Sequence, residues 1–431
     1  MTEVFIIGAG ASGMIAAIEA SREASKSGDS VSVTILEHNT IPGRKLLATG
    51  NGRCNLTNRQ LNINCFRSHD MDYLEKCLKI NENGTAEKIT SYFKELGMLC
   101  TDKNGYVYPY SGQASTVNDI LINTCVKLGV KIVTDAHVIS IDKNTDKNGY
   151  IIKTSEGYMD SDGNRKKKRG EYRADRVILS CGSKAYPKLG ADGSGYNIVK
   201  NLGFRLIEVV PALTGLKCRE KTYELAAGVR TNAEVRLYVD KELVASDRGE
   251  LQLTEYGISG IPVFQVSRYA AYGIADGCKV NAYIDFMPDI KKDELYELLE
   301  HNIAINSGYD IYRVLSGMLN NKLVRKLLCD CRIDEKMPAC DIGKEGLQNI
   351  ISAIKNSYTV IVGTNDFEQS QVCAGGVRLS EIDEHFQSIR LKGLYLTGEI
   401  LDVDGMCGGY NLHWAWISGM TAGRHAVKGI V

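Results

Sequence analysis

The chain opens on an unbroken apolar run, Val4-Phe5-Ile6-Ile7, which stops at Gly8 and passes into the helix-like stretch Met14-Ile15-Ala16-Ala17-Ile18-Glu19-Ala20. A short apolar run bounded by glycine is the pattern of a strand buried on both faces. A second such run, Val31-Ser32-Val33-Thr34-Ile35-Leu36, ends at Glu37. Periodicity then predicts helices at 73–80, 85–96 and 114–128, the last with Ile120, Leu121, Thr124, Cys125 and Leu128 on one face. Strand-like residues 98–101 and 106–108 flank Lys103-Asn104-Gly105, a hairpin signal. Strands follow at 130–133 and 138–141, a second hairpin turn is expected around Asn148-Gly149, and 176–179 is a buried strand ending in Ser180-Cys181-Gly182.

The pattern changes near Ala185. A loop over 186–195 opens a short helix that ends near Gly203, and beyond Pro211 the strands 234–239, 243–245, 250–253 and 279–286 alternate as half-buried antiparallel strands do. They predict a small sheet or barrel. Helical patterns at 293–305, 311–319 and 323–331 read as a helical insert, followed by a helix at 344–354 and a strand at 359–362. The opening theme returns at the end, where a strand over 393–397 leads through Gly398-Glu399 and a glycine-rich turn into a helix at 412–427. One fold is therefore expected to be split by a long insertion.

The glycines give this pattern its chemistry. Gly8, Gly10 and Gly13 form G-x-G-x-x-G between strand and helix: the first permits the tight turn, the second clears space for a pyrophosphate, and the third lets helix and strand pack closely. Backbone N–H groups at the helix start, over Ala11 and Ser12, then face an anionic ligand. Glu37, with His38 beside it, stands where an acid accepts hydrogen bonds from a ribose diol. His137-Val138 falls where such a fold passes an adenine ring. The segment 43–58 is too irregular for a helix or strand. Its glycines, including Gly50 and Gly52, let backbone approach a ligand, while Arg44, Lys45 and Arg53 supply cations and Asn51 and Asn55 supply amides around Cys54. At the other end of the chain, Gly409-Tyr410-Asn411-Leu412 begins a second glycine-flanked helix, whose positive end stabilises negative charge.

Composition narrows the class. With 52 basic and 52 acidic residues the formal net charge is zero, so no global field draws the chain to nucleic acid or an anionic membrane, and neither is expected as a partner. The run Arg165-Lys166-Lys167-Lys168-Arg169, between Gly163 and Gly170, reads as a solvated loop. Thirteen cysteines without regular spacing suit a reducing cytoplasm, and no C-x-x-C pair points to a dithiol reductase. Cys329, Cys331 and Cys340 lack the partners of a metal site, and none is expected. No basic region precedes the first apolar stretch, so neither a signal peptide nor a membrane span is expected there.

A nucleotide site at the start and a second strand, acid and glycine-flanked helix at the end fit FAD better than NAD, because FAD reaches both. The first site takes adenosine and pyrophosphate, and the last helix points at the ring. Longer motifs carry a resemblance. The segment Pro42 to Asn55, Glu255-Tyr256-Gly257-Ile258-Ser259-Gly260, Ala374-Gly375-Gly376-Val377, Gly398-Glu399-Ile400-Leu401-Asp402-Val403-Asp404-Gly405 and Gly408-Gly409-Tyr410-Asn411 resemble signatures of one bacterial flavoprotein family. That family includes aminoacetone oxidases and bile-acid steroid reductases.

The resemblance runs nearly end to end. It implies an α/β fold: a three-layer, Rossmann-like FAD-binding domain with a mostly parallel sheet, interrupted by a β-barrel domain and a small helical insert domain. The expected boundaries are 1–190 and 366–431 for the FAD domain, 191–286 and 341–365 for the barrel, and 287–340 for the insert. The sequence departs from the family's pattern at Ser180-Cys181-Gly182-Ser183, where small residues such as Thr-Gly-Gly are expected. The implied activity is an FAD oxidoreductase that passes a hydride through flavin N5 between NAD(P)H and an organic substrate such as an enone-containing steroid. An oxygen-using amine oxidase and a flavin-bound regulator are the alternatives. No catalytic group is assigned. Tyr410, Asp402 and His413 lie near the expected ring site, and capping or structural roles suit them better. Tyr108, Tyr110 and Tyr186 are pocket-lining candidates for which ordinary packing is the simpler reading.

Overall fold

The computed structural model describes residues 1–78, 84–144, 149–159, 164–219 and 222–428. The hairpin turn expected at Asn148, the end of the helix expected at 79–80, and Gly163 lie outside them. The chain divides into two compact units, Met1–Val209 with Val372–Val431, and Val210–Gln371.

The first unit is built on a five-stranded sheet in the order Leu394–Leu396, Arg176–Leu179, Thr2–Ile7, Val31–Leu36, Lys131–Val133. All four pairings are parallel. Parallel strands are covered on both faces, which is why these segments read as continuous apolar runs instead of alternating ones. Helices Ala11–Ser27, Ala114–Lys127 and Tyr410–Val427 supply one covering layer. A three-stranded antiparallel sheet, Ala136–Lys143, Tyr150–Met159 and Arg165–Ala174, supplies another, and Tyr172 meets Phe5 of the central strand with ring centroids 5.3 Å apart. The Rossmann-like, three-layer expectation is met.

The basic run expected as a loop is instead part of a strand: Arg165–Ala174 pairs antiparallel along its whole length with Tyr150–Met159. Ladder hydrogen bonds come from the backbone, so a run of exposed cations can be a strand where its side chains reach solvent. Arg165 also pairs with Asp135 at 2.6 Å. The segment 43–58 is likewise less irregular than expected, holding a one-turn helix, Arg44–Ala48, and a short strand, Thr57–Asn58.

What joins the two ends of the chain is a contact between the first helix and the last. A Cβ placed on Gly419 would lie 2.4 Å from the Ser12 carbonyl oxygen, and one on Gly423 would lie 2.3 Å from that of Ala16. Only glycine permits this approach. Arg424 and Glu19 form an ion pair beside it.

The second unit is a closed six-stranded antiparallel barrel, in the order Leu216–Cys218, Gly257–Gly260, Glu242–Thr254, Arg230–Val239, Val280–Asp285, Ser357–Thr364. The two strands expected at 243–245 and 250–253 are one long strand. Helix Ile261–Ala275, absent from the sequence reading, touches all six barrel strands. Pro262 suits its first turn, but Gln265, Ser267 and Arg268 are buried together with its apolar residues, so polar and apolar positions do not separate into an amphipathic stripe. Helices Lys292–Ile305, Ile311–Ser316, Asn321–Asp330 and Gly343–Lys355 put Leu295, Leu315, Leu327 and Ile351 into the same core as the barrel's Val235, Leu253 and Ile284. The helical insert therefore has no core of its own. Nor does the first division fall at 190: helix Ser194–Asn201 buries Tyr196, Ile198 and Val199 in the core of the first unit, and the break comes after Val209.

Replacing Gly423 by alanine tests the helix contact. The clash is expected to lower the unfolding free energy by about 1–3 kcal/mol, although alanine outside such a contact favours a helix by about 1 kcal/mol. A urea denaturation midpoint equal to or above that of the wild type would show that the helices do not meet as described.

Candidate functional site

The first strand ends at Gly8, whose φ of 102° only glycine tolerates and whose Cβ would sit 2.5 Å from the Ser180 carbonyl oxygen. A Cβ on Gly13 would lie 2.0 Å from the Gly8 carbonyl oxygen, so turn and helix close on each other. At Gly10 the space is open, with nothing within 4 Å of a Cβ. Two glycines are thus required by the fold, while the third leaves the helix start uncovered. Ala11 and Ser12 begin that helix, and a Cβ on Gly398 would approach Ser12 Oγ to 2.8 Å.

Glu37 is buried at the end of the second strand and its carboxylate ties the turn together. Oε2 accepts from the Ala9 N–H at 2.7 Å, and Oε1 accepts from the backbone and side-chain N–H groups of Asn39, both at 2.8 Å. Asn39 in turn accepts from Arg44 at 3.1 Å. The neighbouring His38 ring stands edge-on to that of His137, 6.0 Å between centroids, and Val138 beside it is buried. Burial would raise the Asp192 carboxyl, but hydrogen bonds from Ser194 outweigh it and His38 and His137 add to them, holding the group below the usual carboxylate range. On the facing strand, Ser180 Oγ and Thr397 Oγ1 are 2.7 Å apart, the Cys181 thiol is pushed up to about 12 chiefly by burial, and Gly182 turns the chain at φ 71°.

A second cluster gathers the glycine-rich segment and the last helix. Gly50, Asn51 and Gly52 all have left-handed backbone, at φ 56°, 55° and 79°, and so does the buried Cys54 at 57°. For a non-glycine residue that conformation costs about 1–2 kcal/mol. The turn closes on itself, Arg53 N–H donating to the Gly50 carbonyl and Cys54 N–H to that of Thr49. Asn55 lies against Gly409, its Oδ1 buried with no hydrogen-bond partner. Asn411 holds the preceding loop, accepting from Gly405 N–H at 2.8 Å and donating to the Gly405 carbonyl at 2.9 Å. Tyr410 is buried, Leu412 half-buried, and Arg53 lies over the ring of Tyr108 at 5.5 Å.

Two carboxylate centres link these clusters to the rest of the unit. Lys45 donates to Glu399 Oε2 at 2.7 Å, and Ser183 donates to the same oxygen at 3.1 Å. Asp402, almost fully buried, accepts from the His69 N–H at 2.9 Å and from Ser68 Oγ at 3.3 Å, and its Oδ2 lies 3.1 Å from His69 Nδ1. Asn39, Ser68 and His69 were not singled out in the sequence, and Ser183 was marked only as the end of the atypical turn 180–183. Asn39 directly follows a motif that was, whereas nothing local marks Ser68 and His69.

The family model described as the HI0933-like protein Rossmann domain matches residues 2–425. The chain belongs to this family. It is 40% identical over 429 residues to the 3-dehydro-bile acid delta(4,6)-reductase of Clostridium scindens, covering 99% of this chain and all of that one. It is 27% identical to the ribosomal RNA dihydrouridine synthase of Haemophilus influenzae, over 97% of this chain and 96% of the relative. A solved structure of 3-ketosteroid delta1-dehydrogenase from Sterolibacterium denitrificans aligns over 99% of both chains at 11% identity, with a TM-score of 0.48. As a member of this family the protein is a Rossmann flavoprotein and an oxidoreductase. No helix among the described residues is long and apolar enough to cross a membrane.

His413 is structural. It is fully buried, Nδ1 2.8 Å from Thr57 Oγ1 and Nε2 donating to the Gly84 carbonyl at 3.1 Å, and burial lowers its pKa to about 4. Because the folded value lies below the unfolded one, its contribution is complete above about pH 6.5 and is lost as the pH falls toward 4, for a total of about 3 kcal/mol. His413→Gln should therefore flatten the decline of stability between these pH values in urea titrations. An unchanged slope would contradict this.

Proposed function

We propose that the chain binds FAD along its first unit and, with NAD(P)H as reductant, saturates a carbon–carbon double bond conjugated to a ketone in a steroid-like substrate. The observation that carries this reading is the full-length, 40% relation to a delta(4,6)-reductase. Dihydrouridine is uridine with its conjugated ring double bond reduced, so the more distant relatives' name describes the same type of addition.

The residues present suit the cofactor. Open space at Gly10 would admit a pyrophosphate, and the buried, unpartnered Asn55 Oδ1 beside Gly409 leaves an acceptor for a ring or hydroxyl N–H or O–H. Gly8, Gly10, Ala11, Ser12 and Gly13 would hold the pyrophosphate; Glu37, His38, His137 and Val138 the adenosine. Arg44, Lys45, Ser180, Cys181, Gly182, Gly398, Glu399 and Asp402 would line the middle. Gly50, Asn51, Gly52, Arg53, Cys54, Asn55, Gly409, Tyr410, Asn411 and Leu412 would surround the ring. When bound, FAD supplies the hydride at N5. The protein's part is to orient: Asn411 and the left-handed turn at 50–52 fix backbone positions, and the N-terminus of the last helix favours negative charge before it by about 0.3–1 kcal/mol.

A second reading, a base of ribosomal RNA as substrate, is favoured by the named relatives and by the exposed basic strand at 165–169. Anaerobic turnover with NADH or NADPH separates the two: a 3-oxo-4,6-diene steroid should be reduced and unmodified ribosomal RNA should not. Reduction of RNA alone would reverse the assignment. The cofactor has its own test. Gly10→Val is expected to lower bound flavin about tenfold or more, a loss of at least roughly 1.4 kcal/mol, as read from the visible spectrum of the purified protein. Full retention of flavin would rule out the pyrophosphate position.

A further inference from the structure

Beside the second cluster, a cavity of about 330 Å³ is lined by Arg53, Thr101, Lys103, Tyr108 and Tyr110, with Pro109 and Gly112 between and beyond the tyrosines. It lies on the outward face of the hairpin formed by Cys100–Lys103 and Tyr106–Pro109, where Thr101 pairs with Tyr108 and Lys103 with Tyr106. Cross-strand partners share a face, so two tyrosines and a lysine stand together, while Val107 turns inward and is buried.

The cavity adjoins the loop before the last helix. A Cβ on Gly408 would lie 3.3 Å from the ring of Tyr106, which shares a face of the hairpin with Tyr108. It therefore opens next to the residues assigned to the cofactor ring. Its size is at the low end of the roughly 300–1,000 Å³ typical of small-molecule sites, which suits one end of a steroid-sized ligand.

Its charge is unbalanced. On the same small sheet, Arg59 is claimed by Glu87 and Asp102. Among the described residues, no carboxylate pairs with Arg53 or Lys103. Arg53 stacks over Tyr108 and its Nε reaches only the Gly50 carbonyl, at 3.4 Å. Two uncompensated cations over a tyrosine floor form a receptor for an anion carried on an apolar body.

Resting on the reading of the protein as a reductase of steroid-like enones, we propose that this cavity takes the side-chain carboxylate of the substrate, with Arg53 and Lys103 as its cationic partners and Tyr108 and Tyr110 against the adjoining hydrocarbon. The site then selects steroid acids over neutral steroids.

The test compares a 3-oxo-4-ene steroid carrying a side-chain carboxylate with its methyl ester, titrated calorimetrically into the flavin-loaded enzyme. The wild type should prefer the acid by roughly tenfold at low salt, less at high salt. Lys103→Glu, at an exposed position where folding is not at stake, should abolish or reverse the preference, and Lys103→Arg should keep it. Equal binding of acid and ester by the wild type, or equal weakening of both by Lys103→Glu, overturns the proposal. So does loss of NADPH binding in Lys103→Glu with the acid preference intact, which would assign the cations to a nicotinamide phosphate. Turnover of the ester without acid preference would sink this inference and leave the reductase reading standing. Acid preference without turnover of either steroid would do the opposite.

Discussion

Everything in the first unit depends on how closely its two terminal helices approach. Gly419 and Gly423 bring the last helix against the Ser12 and Ala16 carbonyls of the first. That contact packs the glycine turn that begins the chain against the segment that ends it. Any side chain at these two positions would push the helices apart, and with them the Ser12 to Gly398 contact. The nucleotide-type turn and the C-terminal motif are two halves of one surface because glycine lets them be.

Within that surface the acidic groups are tethered to the protein itself. Glu37 binds Ala9 and Asn39, Glu399 binds Lys45 and Ser183, and Asp402 binds the Ser68–His69 turn. Carboxylates held by two or more donors are pre-oriented, and a ligand meets them without first reorganising them. Strain is stored where it serves the same end. The left-handed Cys54 sits between the glycine turn and Asn55, whose unpartnered oxygen faces Gly409. A buried amide oxygen left without a donor costs roughly 1–3 kcal/mol, and a ligand that donates to it would recover part of that cost.

The chemistry suggested by the relatives needs little more from the protein than such orientation. A flavin carries the hydride chemistry, so the protein's influence lies in what it places around the ring and which substrates it admits. The tyrosine-lined cavity with its two uncompensated cations is a feature of that second kind. It is assembled from the glycine-rich segment and a hairpin some 50 residues further on.

Much of the fold was legible because it is encoded locally. Val4 to Ile7, the glycine triplet, Glu37, the hairpin at Lys103-Asn104-Gly105 and the helix over 114–128 each declare themselves by period or turn chemistry within a dozen residues. Helix Ile261–Ala275 did not, because it touches all six barrel strands and buries Gln265, Ser267 and Arg268 along with its apolar residues, which leaves no amphipathic stripe. The Arg165–Ala174 strand was hidden for the converse reason, since backbone pairing is indifferent to a charged, exposed face. The site divides along the same line. The sequence alone determined a dinucleotide turn, its acid, and a glycine-flanked helix at the far end. Only the tertiary structure decided that Lys45 meets Glu399, that Asp402 serves His69, that His413 is a buried strut, and that Tyr108 and Tyr110 line a cavity with Arg53. Those pairings join residues up to about 350 positions apart, and their energies exist only once the closing of the two helices has brought them within hydrogen-bond range.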